Sequence, residues 1–219
     1  MRNFDLLTLI LLLPILLVSM MAHEVSHGYV AYRLGDPTAK AHGRLTLNPL
    51  KHLDPLGTAM FVITYMLGGF IFGWAKPVPV TSYYFKNQQR GMLLVGLAGP
   101  VANFAVAVIV ALVLNLLHPA ATGGLLDFRG GDTLFRVLFL AFQVNVVLGV
   151  FNLVPIPPLD GSRVLGGFLP ADAYRRWVEL DRYGMIFLLL IFFVFRGPFF
   201  SLLSGAYEWI YRLLLPSYF

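Results

Sequence analysis

The chain of 219 residues contains no cysteine, which excludes disulfides and every cysteine-ligated metal site. It is also poor in charge. Only 12% of its residues are Asp, Glu, Lys or Arg, against 58% hydrophobic, about half the charged share of a soluble domain. No repeat, low-complexity tract or long polar linker occurs. So much apolar surface needs a solvent other than water, and the chain reads as an integral membrane protein forming one membrane-embedded domain over 1–219. The formal net charge of +5 does not point to nucleic acid. The basic residues lie between apolar segments, as expected of loops at an anionic membrane surface.

What is present is a series of apolar stretches, over roughly 4–32, 55–73, 92–117, 134–155, 183–195 and 199–215. The first begins after Arg2 in the manner of a signal peptide, but Met20 is too large for the position before a cut at Ala22, and the helical pattern continues to Tyr32. A span needs about 20 apolar residues. The first, third and fourth stretches reach that length, while the last two are short, broken at Arg196-Gly197-Pro198, and read as a tight helical hairpin over about 177–215. The second contains Gly57, Gly68, Gly69 and Gly73 and runs into Pro77 and Pro79, residues that weaken a helix.

Charge counting separates two topologies. If all six stretches span, seven Lys and Arg fall on one side and nine on the other. If 55–73 dips in and returns, twelve fall on the side holding 33–91 and 156–182, with Arg2, Arg129, Arg136 and Arg196 opposite. Only the second gives a positive-inside bias. The expectation is an all-α polytopic membrane protein of five to six transmembrane helices, with a re-entrant, β-hairpin-like element after the first. In the favoured form five spans leave the N-terminus outside and the C-terminus in the cytoplasm.

Near the end of the first helix stands His23-Glu24-Val25-Ser26-His27. Histidines at i and i+4 lie about 40° apart on one helical face, so both imidazoles can reach one ion. Glu24 is turned about 100° away, placed to meet a metal-bound water rather than the metal. Ionisable groups inside a bilayer segment are costly and mark function. Catalytic zinc usually takes three protein ligands, and Asp160, in Asn152-Leu-Val-Pro155-Ile-Pro157-Pro158-Leu-Asp160-Gly161, is the carboxylate best placed to supply the third. The same segment can also be read as an ordinary Pro-rich turn. The re-entrant topology makes the first and fourth stretches leave the membrane on one side, as a shared ion requires.

These residues resemble the site-2 protease family of intramembrane zinc metalloproteases. The resemblance rests on His23-Glu24-x-x-His27, on Asn152-x-x-Pro155-x-Pro157-x-x-Asp160-Gly161, and on Gly96-Leu-Ala-Gly99-Pro100-x-x-Asn103, which is similar to the start of the family's central helix. It implies one Zn²⁺ per chain held by His23, His27 and Asp160, with Glu24 as catalytic base and Asn152 helping to hold substrate. Asn103 is a further candidate contact. Backbone near 76–81, around Val78 and Val80, is a candidate for pairing with an unwound substrate. The catalytic core then covers about 4–162. The implied partners are a transmembrane protein substrate and the lipid bilayer of a bacterial or archaeal cell, with the active site toward the cytoplasm. The competing readings are another His-Glu-x-x-His membrane peptidase, which would not need Asp160, and a non-enzymatic metal-handling transporter.

Among the remaining residues, His42 and His52 read as solvated or gating loop histidines, and Asp36 and Asp54 as polar-loop residues. Arg163 is read equally as an orienting partner of Asp160 and as a snorkelling lipid contact.

Overall fold

A computed structural model describes residues 6–67, 73–118 and 133–218. Residues 68–72 of the expected re-entrant stretch, with Arg2, Pro119 and Arg129, lie outside the described residues. In chain order the helices are α1 (Leu6–Arg33), α2 (Thr38–Ala41), α3 (Pro55–Met66), α4 (Gln88–Leu117), α5 (Thr133–Asn152), α6 (Asp160–Gly166), α7 (Ala171–Glu179), α8 (Gly184–Phe193) and α9 (Arg196–Leu214). No β-strand occurs among the described residues.

The 28 residues of α1, 30 of α4 and 20 of α5 correspond to about 42, 45 and 30 Å. These three are long and apolar enough to cross a membrane. Their outward faces carry exposed Leu6, Ile10, Val18, Ile109, Leu112 and Leu116, a surface suited to lipid rather than water. Inward, α4 presents Gly96, Gly99, Asn103, Ala107, Ala111 and Leu114, all buried. Small residues at three- and four-residue spacing let neighbouring backbones approach closely, and α4 is the central helix, packed against both α1 and α5.

The directions of the helices follow from their cross-contacts. His23 meets Asn103 and His27 meets Val95, so α1 and α4 are antiparallel. Ser19 meets Asn145 and His27 shares a cavity with Asn152, so α1 and α5 run the same way. α9 starts with Phe199 against Val154, Leu188 and Ile191. It ends where Asn115 donates to Leu214 O, and just beyond it Tyr218 donates to Leu114 O. Its 19 residues therefore run from the end where α5 stops to the end where α4 stops.

This corrects the expected span count. The run Ala171–Phe193 meets α9 at 88°, and the ten residues of α8 reach only about 15 Å. The last two apolar stretches are not two crossings, and the described chain has three candidate spans, or four if the bent pair Ala171–Phe193 and Arg196–Leu214 counts as one. The C-terminal residues then lie at the end of the bundle where α1 begins, not where it finishes. The sequence counts apolar residues but carries no record of the angle at Arg196, which is set by packing of Phe199 under α5 and Leu215 against α4 and α5.

α3 is too short to cross at 12 residues, about 18 Å. It starts at Asp54, whose carboxylate caps it by accepting from the Gly57 N–H at 2.8 Å. By Lys76 the chain is back beside that start, since the Lys76 N–H donates to His52 O at 2.9 Å. A Cβ on Gly57 would stand 2.1 Å from Trp74 O, so the absence of a side chain is what lets the returning segment lie there. Residues 73–81 form no regular element, and no partner strand makes the expected hairpin among the described residues.

Candidate metal centre

His23 and His27 are buried on the inner face of α1, and Asp160, also buried, opens α6. Asp160 reaches α1 because Pro155, Pro157 and Pro158 end α5 and fold the chain back. Gly161 completes the turn, since a Cβ there would fall 2.2 Å from Leu153 O. His23 Nε2 lies 3.0 Å from Asp160 Oδ2, His27 Nε2 lies 3.1 Å from the same oxygen, and the two Nε2 atoms are 3.0 Å apart. Atoms bonded at about 2.0–2.1 Å to a tetrahedral zinc are themselves about 3.3 Å apart. The three atoms thus form nearly one face of such a tetrahedron.

Proton accounting shows what this triangle lacks. His27 Nδ1 is 2.6 Å from Val95 O, and His23 Nδ1 is 2.6 Å from Asn103 Oδ1. Both oxygens only accept, so both Nδ1 atoms donate. In the neutral imidazoles both Nε2 atoms are then lone pairs, facing each other and a carboxylate oxygen. Three converging lone pairs repel unless a cation lies among them, and the donor set fits a divalent metal. Among the described residues this is the group of His, Asp and Glu able to share one ion.

Space for the rings comes from α4. A Cβ on Gly99 would lie 2.5 Å from His23 Cε1, His23 Nε2 and His27 Nε2. The Arg163 guanidinium reaches the second carboxylate oxygen, Asp160 Oδ1, at 3.4 Å, which selects the orienting reading of this residue over the lipid contact.

A cavity of about 240 Å³ opens beside the triangle, lined by His23, Glu24, His27, Pro77, Val78, Val80, Met92, Asn152, Pro158, Asp160 and Arg163. Glu24 Oε2 accepts from the Val78 N–H at 2.8 Å. Asn152 borders the cavity with its Nδ2 bonded back to Leu148 O. Asn103 does not line it; this side chain stands behind His23, fully buried.

Three polar residues of the loop after α1 are buried. Asp36 is fully buried and accepts from the N–H groups of Thr38 and Thr81. Arg44 is buried and donates to Lys51 O, Lys76 O and Pro77 O. His52 is buried with its Nε2 donating to Thr46 O, rather than solvated, whereas His42 is exposed. Together these groups hold the segment 76–81 against α1. The partners that reach this segment, Lys76 O, Pro77 O and the Thr81 N–H, are backbone groups tens of residues from Arg44 and Asp36, which leave no residue-type signature in the sequence.

The model of peptidase family M50 matches residues 11–127 and 129–195. Two relatives share the name "Putative zinc metalloprotease". YwhC of Bacillus subtilis (strain 168) is 42% identical over 177 residues, covering 81% of this chain and 77% of the relative. Rip2 of Mycobacterium tuberculosis (strain ATCC 25618 / H37Rv) is 35% identical over 202 residues, covering 90% and 71%. The zinc metalloprotease MJ0392 of Methanocaldococcus jannaschii is 24% identical over 155 residues, covering 71% of this chain and 33% of its own length. No solved structure matches.

Proposed function

Because the chain belongs to peptidase family M50, the site-2 protease family, we propose that His23, His27 and Asp160 hold its catalytic zinc and that Glu24 is the general base. The protein is an intramembrane zinc metalloprotease and its substrates are proteins. The observation that carries the site reading is the triangle of three buried atoms 3.0–3.1 Å apart, whose two nitrogens are lone pairs in the neutral imidazoles because both Nδ1 atoms donate elsewhere.

A zinc ion held by His23, His27 and Asp160 would supply Lewis acidity toward the scissile carbonyl and would lower the pKa of a water to about 7. Glu24 takes the proton of the attacking water and delivers it to the departing amine. The Val78 N–H fixes one of its oxygens, and the other has no partner among the described residues. Arg163 and the turn at Gly161 keep the Asp160 carboxylate aimed at the imidazoles.

The substrate we propose is a transmembrane segment, locally unwound. Pro77 and Pro79 have no N–H and favour extended backbone around them. In such backbone Val78 and Val80 turn their polar groups to the same edge, the one beside Glu24. The Val80 N–H has no partner among the described residues and is free to pair with an extended peptide, while Asn152 borders the same space. Residues 55–73 are proposed to dip into the membrane and return, supported by the bond between Lys76 N–H and His52 O. Orientation follows charge. Among the described residues, Arg33, Lys40, Arg44, Lys51, Lys76, Lys86, Arg90, Arg163, Arg175, Arg176, Arg182 and Arg196 belong to the metal-proximal end, against Arg136 and Arg212. Twelve against two supports an orientation with the metal-proximal end at the cytoplasm of a bacterial or archaeal cell.

Metal analysis of purified protein tests the site. One equivalent of zinc is expected in the wild type and far less in His23→Ala and Asp160→Ala. Full zinc in Asp160→Ala would favour a peptidase that uses the two histidines differently. Glu24→Gln should keep its zinc and lose about 10²–10⁴-fold in peptide cleavage, a result a metal transporter would not give.

A further inference from the structure

A chain of buried polar side chains runs from α1 through α5 and α4 to His23. Ser19, Asn103 and Asn145 are 4%, 0% and 1% exposed, and one comes from each of the three long helices. Neither the Ser19 nor the Asn145 side chain lines the cavity, and their side-chain bonds go to Ile15, Ala141, Asn103 and each other rather than to a proposed ligand.

Every hydrogen bond in this chain has a determinable direction. The Ser19 hydroxyl donates to Ile15 O at 2.8 Å, so its oxygen is left to accept. Asn145 Nδ2 donates to that oxygen at 2.9 Å and to Ala141 O at 2.8 Å. Turning the Asn145 amide over would press its oxygen against the Ala141 carbonyl, which can only accept, so the amide is locked. Its Oδ1 therefore faces Asn103 and requires a donor, which is Asn103 Nδ2 at 2.9 Å, bonded also to Ser19 O at 3.3 Å. That leaves Asn103 Oδ1 facing His23 Nδ1 at 2.6 Å, where only a proton-bearing nitrogen fits. The orientation fixed at Ala141 and Ile15 is thus handed across three helices to the ring. In a buried, low-dielectric setting a reversed member would leave two acceptors in contact.

We propose that Asn145 and Ser19 are positioning residues of the metal centre. Through Asn103 they set the amide direction that keeps the His23 proton on Nδ1 and its Nε2 lone pair on the ion. This rests on the reading of His23 as a zinc ligand. Partners of a metal-bound histidine typically carry 10–100-fold of metal affinity, and the relay assigns part of that to residues beyond Asn103.

The test is a zinc affinity cycle on the full chain in detergent, by competition with a chromophoric chelator. Asn103→Leu and Asn145→Leu should each weaken zinc binding, Asn145→Leu by about 10-fold. The double variant should bind no more weakly than Asn103→Leu alone, because Asn145 acts only through Asn103. Helix packing by Asn145 would instead make the two losses multiply, and that outcome overturns the relay. So does wild-type affinity in Asn145→Leu. Should Asn145→Leu not fold, Ser19→Ala carries the test, with a few-fold loss in the wild-type background, none in Asn103→Leu, and overturning if both backgrounds respond equally. A wild-type protein with no stoichiometric zinc would instead sink the metal reading itself.

Discussion

Gly99 shows how much a single missing side chain decides. The ring atoms of both histidines stand where its Cβ would be, at 2.5 Å, so α4 can lie against the proposed ligands only without one. Gly99→Ala should therefore displace the imidazoles and lower bound zinc to well under half an equivalent, read by metal analysis. Alanine favours a helix over glycine by about 1 kcal/mol, so helical content measured by circular dichroism should not fall, and a zinc loss cannot be blamed on melting of α4. Full zinc occupancy in this variant would mean that the packing of α4 against the rings is slack.

At the scale of elements, the segment 76–81 matters most, because it walls the cavity without being a helix or a strand. Asp36 and Arg44 tie it down from one side, and Glu24 from the other. Its two valines should be separable. Val78→Pro removes the N–H that fixes Glu24, and kcat for a peptide substrate should fall several-fold. Val80→Pro removes a donor with no partner among the described residues, and the loss should appear mainly in KM, as expected for binding rather than chemistry. Zinc should stay near one equivalent in both, and identical kinetic profiles would argue against the division. Gly57→Ala probes the other end of the same wall. Its new Cβ would strike Trp74 O at 2.1 Å, a backbone atom that cannot swing aside, so overpacking of about 1–3 kcal/mol should lower the melting temperature in the same detergent. An unchanged melting temperature would mean that α3 and the returning segment are free to separate.

For the whole molecule, the sharpest expectation is which end of the bundle holds the C-terminal residues. Tyr218 bonded to Leu114 O and Leu214 O bonded to Asn115 place them where α4 finishes and α1 begins. The lack of cysteine makes this simple to measure in sealed vesicles with a membrane-impermeant thiol reagent. Ser217→Cys should label from the face opposite to Lys86→Cys and Arg175→Cys, all three being exposed positions. Labelling of all three from one face would restore the five-span arrangement expected from hydropathy.

Local regularities made part of this legible in the amino-acid order. Helical periodicity alone puts His23 and His27 on one face, and apolar runs of 20 residues or more announce α1, α4 and α5, since both properties depend on neighbours in sequence. The prolines before Asp160 likewise announce a break after α5, because proline removes its own hydrogen bond. Distant packing decided the rest. The right-angle turn before α9, and with it the number of crossings, depends on Phe199 and Leu215 finding cores formed by other helices. The burial of Asp36, Arg44 and His52 depends on carbonyls and amides brought over from remote segments, and the amide directions of Asn103 and Asn145 on three helices meeting. A residue's type records which bonds it can make, whereas the partner it makes them with, and so the direction of each proton, exists only once the chain has closed around it.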